Sequence, residues 1–147
     1  MIPAEGADLL VVEDNPSDLE LTLRALRKSD CPGRIHTVKD GEEALDFLFD
    51  RTPAGPRPSG TPLKVIFLDL KLPKVDGFEV LRQAKADART RSIPVVVLTS
   101  SLQESDVREC YRLGANSYVV KAVDFTSFSA CIAQMAHYWL SLNEPRR

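Results

Sequence analysis

A doubly wound α/β fold, with helices on both faces of one parallel sheet, is predicted by three observations. Five short apolar, β-branched runs recur along the chain at 9–12, 35–38, 65–68, 95–98 and 118–120. Helical periodicity fills the stretches between them. Several runs are apolar at every position, as expected for strands covered on both faces, where an alternating pattern would mark a half-exposed sheet.

The elements follow in order. The first strand, LLVV, leads to Asn15-Pro16, an N-cap with proline at the first helical position, and Leu19, Leu23 and Leu26 then recur at helical spacing. After the second strand, Asp40 caps a second helix with Glu43 three residues on, a capping-box arrangement, and Ala44, Leu45, Leu48 and Phe49 form its buried stripe. Residues 51–62, RTPAGPRPSGTP, are rich in Pro and Gly without periodicity and predict an exposed loop before the third strand. A third helix starts near Phe78. The fourth spans 104–113 and stops at Gly114, suited to the left-handed C′ position. The fifth carries Phe125, Phe128, Ile132, Met135 and Trp139 as a core or interface stripe.

The 147 residues suit one domain with a core at about 7–142, which buries roughly two-thirds of its unfolded surface. Nineteen basic against 21 acidic residues give a net charge of -2, without the basic field that binding to nucleic acid demands. The amino terminus lacks a signal-peptide pattern and the apolar runs are too short to span a bilayer, so a soluble, cytoplasmic protein without membrane contact is expected. Cys31, Cys110 and Cys131 are odd in number and far apart, which predicts reduced thiols and neither a disulfide framework nor a zinc site. No GxxxxGK[ST] or GxGxxG pattern supports nucleotide binding. His36 and His137 have no partner nearby in sequence and are assigned packed or exposed roles.

Ligands of open parallel sheets bind beyond the carboxyl ends of the strands. Those ends carry Glu13-Asp14 on the first, Asp69 on the third, Thr99-Ser100 on the fourth and Lys121 on the fifth. Three carboxylates brought together repel one another unless a hard cation such as Mg²⁺ binds among them. A carboxylate can also attack phosphorus if the metal and a fixed cation offset the developing charge. Asp69 could attack, Lys121 could be the cation, and the hydroxyl of Thr99 could donate to a phosphoryl oxygen and move its loop.

The segments VVEDN, IFLDLKLPKVDGFEVL, IPVVVLTS and LGANSYVVK, in this order and spacing, resemble the receiver domains of two-component response regulators over essentially the whole chain. The resemblance implies a flavodoxin-like (βα)5 fold with strand order 2-1-3-4-5, and Asp69 as phosphoacceptor. It implies Mg²⁺ held by Asp14, Asp69 and the Lys71 carbonyl, with Glu13 acting mainly through water. Thr99 and Lys121 would contact the phosphoryl group, Tyr118 would be the aromatic that turns with Thr99, and Pro73 and Asp76-Gly77 would shape the floor of the site. Lys71 and Ser101 occupy positions that modulate access of the hydrolytic water. The family pattern departs at Ala122, where most relatives have a proline after a cis bond; a trans Lys121-Ala122 peptide is expected, since cis would cost roughly 3 kcal/mol more.

A sensor histidine kinase is the implied donor and an unknown downstream protein the target, the switch being a phosphoacceptor and not an enzyme in the usual sense. The long Pro/Gly loop, the Trp-bearing terminal helix and the expected absence of an output domain resemble the subgroup paired with bacterial phytochrome kinases. Tyr138, Trp139 and Leu140 could extend an apolar patch into a homodimer interface. Two other readings are an Asp-nucleophile phosphatase, whose DxD would follow the first strand instead of the third, and a non-phosphorylated interaction module of the same fold. Tyr118 could equally be half-buried packing.

Overall fold

Five parallel strands form one sheet in the order β2-β1-β3-β4-β5, as the resemblance implies. In the computed structural model, residues 7–30, 33–51 and 63–146 are described. The strands are β1 (Leu9–Val12), β2 (Ile35–Val38), β3 (Val65–Leu68), β4 (Val95–Thr99) and β5 (Ser117–Val120). Between and after them run α1 (Pro16–Lys28), α2 (Gly41–Leu48), α3 (Gly77–Ala86), α4 (Glu104–Arg112) and α5 (Phe125–His137), with a terminal π-helical segment at Tyr138–Leu142. Cys31 and residues 52–62 of the expected Pro/Gly loop lie outside the described residues.

The three central strands are buried at every position, because helices cover both faces. Leu10, Val12, Ile66, Leu68, Val95 and Val97 pack on one side with α2, α3 and Cys110 of α4. Leu9, Val11, Val65, Phe67, Val96 and Leu98 pack on the other with α1 and α5, through Ala25, Leu26, Phe128, Ile132 and Met135. The period of two along each strand divides these apolar runs between two cores. Fully burying each such side chain contributes about 2 kcal/mol.

Helix starts follow the expected chemistry, with differences in detail. Asn15 Oδ1 accepts from the N–H groups of Ser17 and Asp18 at 2.9 and 3.1 Å. Asp40 accepts from Glu43 N–H at 2.8 Å, but Glu43 reaches Lys39 N–H at 3.1 Å, so the predicted capping box closes one residue early. Gly114 has φ +106° and ends α4 as expected.

Three helix faces differ from expectation, and on α2 Phe47 is buried while Phe49 is half-buried at the C-cap. The buried residues of α1 are Thr22, Ala25 and Leu26, while Leu19 and Leu23 are half-buried. Small Ala25 allows close approach to α5, and Thr22 can be buried because its hydroxyl donates to Asp18 O at 2.9 Å. On α5, Phe125 is exposed, with the Arg24 guanidinium 5.9 Å from its ring centroid. Trp139 falls beyond α5, half-buried in the π-helical segment. No helix among the described residues is long and apolar enough to cross a membrane.

Candidate functional site

Strand register brings the charged strand ends together. Val12 pairs with Leu68, and Asp69 N–H donates to Val12 O at 3.1 Å, so Glu13 and Asp69 leave the sheet side by side. On the far side, Thr99 pairs with Val120 and its carbonyl accepts from Lys121 N–H at 2.8 Å. The strand order reverses between β1 and β3, so the rim lies at the point where such folds bind ligands.

Lys121 closes the cluster. Its Nζ donates to Glu13 Oε1 at 2.6 Å, Asp18 Oδ2 at 2.9 Å and Asp69 Oδ2 at 3.1 Å. Burial opposes its charge, but the hydrogen bonds to Glu13 and Asp18 and the charge of Asp69 outweigh burial and hold the ammonium above its ordinary range. Burial pushes the Glu13 carboxyl up to about 7, against the pull of Lys121 and with a further push from Asp69. Asp69 Oδ1 accepts from Leu70 N–H at 2.7 Å, which fixes the carboxylate orientation.

Glu13, Asp14 and Asp69 each offer an oxygen, and these oxygens lie within 4.8 Å of one another. Three carboxylates, of Glu13, Asp18 and Asp69, share the Lys121 ammonium, and Asp14 adds a fourth acid to the rim. An all-oxygen, strongly anionic donor set without sulfur or imidazole fits Mg²⁺ by charge and hardness. Glu13 and Asp69 are buried and Asp14 is exposed, so the cluster opens to solvent on the Asp14 side.

The expected accessory residues also gather here. Lys71, Asp76, Thr99 and Ser101 line one cavity of about 310 Å³. Thr99 is buried and its Oγ1 accepts from Ser101 N–H at 3.4 Å. Tyr118 OH donates to Ser101 O at 3.0 Å, tying β5 to the loop after β4. The Ser101 hydroxyl donates to Asp106 Oδ2 at 2.6 Å, and is thus engaged with the first turn of α4. Asp76 caps α3 by accepting from Glu79 N–H at 2.9 Å. Gly77 permits that helix to start against the site, since a Cβ there would stand 2.3 Å from Asp69 O. The Lys121-Ala122 peptide is trans, and no cis peptide occurs among the described residues. His36 stacks on Phe47 at 4.3 Å between ring centroids, far from any acid–base role at the rim.

Sequence reasoning missed Asp18. It stands four residues beyond Asp14, in the first turn of α1, and that spacing after an acidic strand end was the available signal.

A parallel 2-1-3-4-5 sheet whose rim gathers three acids, a buried threonine and a lysine defines a receiver. The response regulator receiver domain model matches residues 9–133, and the chain belongs to that family. It is 42% identical, over 92% of its length and 84% of the relative's, to a probable methanogenesis regulatory protein, FilR2, of Methanothrix harundinacea. Among solved structures it is similar to the bacteriophytochrome response regulator RtBRR (49% identity, TM-score 0.75, covering 99% of this chain and 85% of that one). It is likewise similar to the phosphorylated cyanobacterial phytochrome response regulator RcpA (34% identity, TM-score 0.85, covering 95% and 97%).

Proposed function

We propose that this receiver is a stand-alone response regulator in which Asp69 accepts a phosphoryl group from the phosphohistidine of a sensor kinase. The N–P bond of the donor breaks, a bond forms between phosphorus and an Asp69 carboxylate oxygen, and the imidazole leaves. The observation that carries the reading is the buried Lys121 ammonium 3.1 Å from Asp69 Oδ2, a fixed cation where charge develops on the transferred group. Glu13, Asp14 and Asp69, with the Lys71 carbonyl, would hold Mg²⁺, which when bound supplies charge neutralisation among the acids and phosphoryl oxygens. Thr99 donates its hydroxyl to a phosphoryl oxygen. Tyr118, already tethered to Ser101 O, follows as that loop moves. Lys71 lies at the mouth of the cavity, where its charge tunes the lifetime of the acyl phosphate, and Ser101 acts through the Asp106 contact.

The kinase is a bacterial phytochrome in this reading, supported by the likeness to RtBRR and RcpA. The chain works in the cytoplasm and hands its signal to a separate protein. It pairs with itself through the exposed Tyr138 beside the half-buried Trp139; Leu140, expected in the same patch, is buried in the core, and Leu142 is the exposed leucine of that segment.

The test is incubation with Mg²⁺ and acetyl phosphate or phosphoramidate, followed by intact-mass measurement. One phosphoryl adduct per chain is expected, absent in Asp69→Asn, and transfer from an autophosphorylated bacteriophytochrome should label the same residue. An unmodified wild type, or an adduct that persists in Asp69→Asn, rejects the assignment.

A further inference from the structure

Asp18 brings a third carboxylate to Lys121, from the first turn of α1 and not from a strand end. Its Oδ2 accepts from Nζ at 2.9 Å, beside Glu13 Oε1 at 2.6 Å and Asp69 Oδ2 at 3.1 Å. An ammonium has three N–H bonds, and these three acceptors use them all. Two hold the lysine from the β1 and α1 side, and the third is directed at residue 69.

An acid at this helix position ordinarily reaches back to the N–H of the cap residue and closes a capping box. Here Asn15 N–H donates to Glu13 Oε2 instead, at 3.2 Å. The Asn15 side chain satisfies the N–H groups of Ser17 and Asp18. The start of α1 is therefore complete without the Asp18 carboxylate, which is free to turn inward. The resulting pair is not a surface contact: the Lys121 side chain is 8% exposed and that of Asp18 35%, a setting where solvent screens less than at the open surface. Asp18 is not one of the three acids whose oxygens cluster for a cation, so its partner is the lysine.

We infer that Asp18 is a positioning residue for phosphoryl transfer, anchoring Lys121 from α1 so that one ammonium N–H stays aimed at the group on Asp69. The inference rests on Asp69 being the phosphoacceptor. With Glu13 alone, Lys121 could swing about a single contact; with two anchors its direction is set. When Asp69 is phosphorylated, the N–H it held can pass to a phosphoryl oxygen while both anchors remain. A lysine held in advance costs less reorganisation at the moment of transfer.

The experiment compares phosphorylation rates by acetyl phosphate and Mg²⁺ for the wild type, Asp18→Asn, Lys121→Ala and the double variant, each shown to be folded by circular dichroism. Asp18→Asn is expected to slow phosphorylation about tenfold, the scale on which a supporting contact acts, while Mg²⁺ affinity stays within about twofold. Adding Asp18→Asn to Lys121→Ala should change the rate by less than about twofold, because Asp18 acts through the lysine. Independently of turnover, the Lys121 ammonium should give a slowly exchanging ¹⁵N signal that Asp18→Asn abolishes. An unchanged rate in Asp18→Asn, an undiminished loss in the Lys121→Ala background, or a retained ammonium signal overturns the role of Asp18. A wild type that takes no phosphoryl group overturns instead the phosphoacceptor reading on which the role depends.

Discussion

At the scale of single residues, the chain's titratable groups separate into one charged centre and several silent ones. Cys110 is fully buried and burial pushes its thiol up to about 11, so it is a packing residue like the apolar neighbours around it. His36 is more informative. Burial against Phe47 lowers its pKa, partly opposed by Glu43. The folded chain thus binds this proton less readily than the unfolded chain. Stability from neutral His36 is present above the unfolded value near 6.5 and is lost as pH falls through the lower folded value. Glu13 works in the opposite sense, since its raised pKa favours the folded state on acidification below about 7. The His36 contribution is isolated by difference: relative to wild type, His36→Gln should lose less stability between roughly pH 7 and pH 5 in urea titrations. Parallel stability curves for the two proteins would show that His36 does not titrate on folding.

At the scale of elements, the site depends on how closely α3 begins to the end of β3. Gly77 N–H donates to Leu70 O at 2.9 Å, and a Cβ would stand 2.3 Å from Asp69 O and 2.6 Å from Leu70 Cα. Both obstacles are backbone, which cannot turn aside as a flexible side chain can. Gly77→Ala should therefore destabilise the domain by about 3 kcal/mol, despite alanine's better helix propensity. Urea denaturation measures it, and because the clash falls on the backbone of Asp69, the phosphorylation rate should fall as well. A variant of wild-type stability would mean that α3 can shift outward freely.

At the scale of the whole molecule, the acidic rim is a stability liability that a bound cation would relieve. Three carboxylates around one ammonium, with Asp14 a fourth acid beside Glu13 and Asp69, repel one another. A ligand that binds only the folded state at 100 times its Kd stabilises by about 2.7 kcal/mol. Mg²⁺ should therefore raise Tm in a concentration-dependent way that EDTA reverses. Asp14→Asn removes one exposed member of the cluster; its Tm in EDTA should rise slightly, and its response to Mg²⁺ should shrink. A chain whose melting ignores Mg²⁺ would have no such site.

What the sequence by itself determined was the fold class, the strand positions to within a residue, the starts of the first four helices and, of the rim, Glu13, Asp14, Asp69, Thr99 and Lys121. Those are local matters: apolar runs, caps and the residue that follows each strand are all written within a few positions of one another. Tertiary structure alone decided what crosses elements. The inner face of α1 was misread because Thr22 hides its hydroxyl on its own helix and Ala25 is small, features that apolar periodicity does not count. Asp18 went unseen because its role comes from Lys121, 103 residues away. Only the packing of α1 beside the strand ends brings that carboxylate and that ammonium within 2.9 Å.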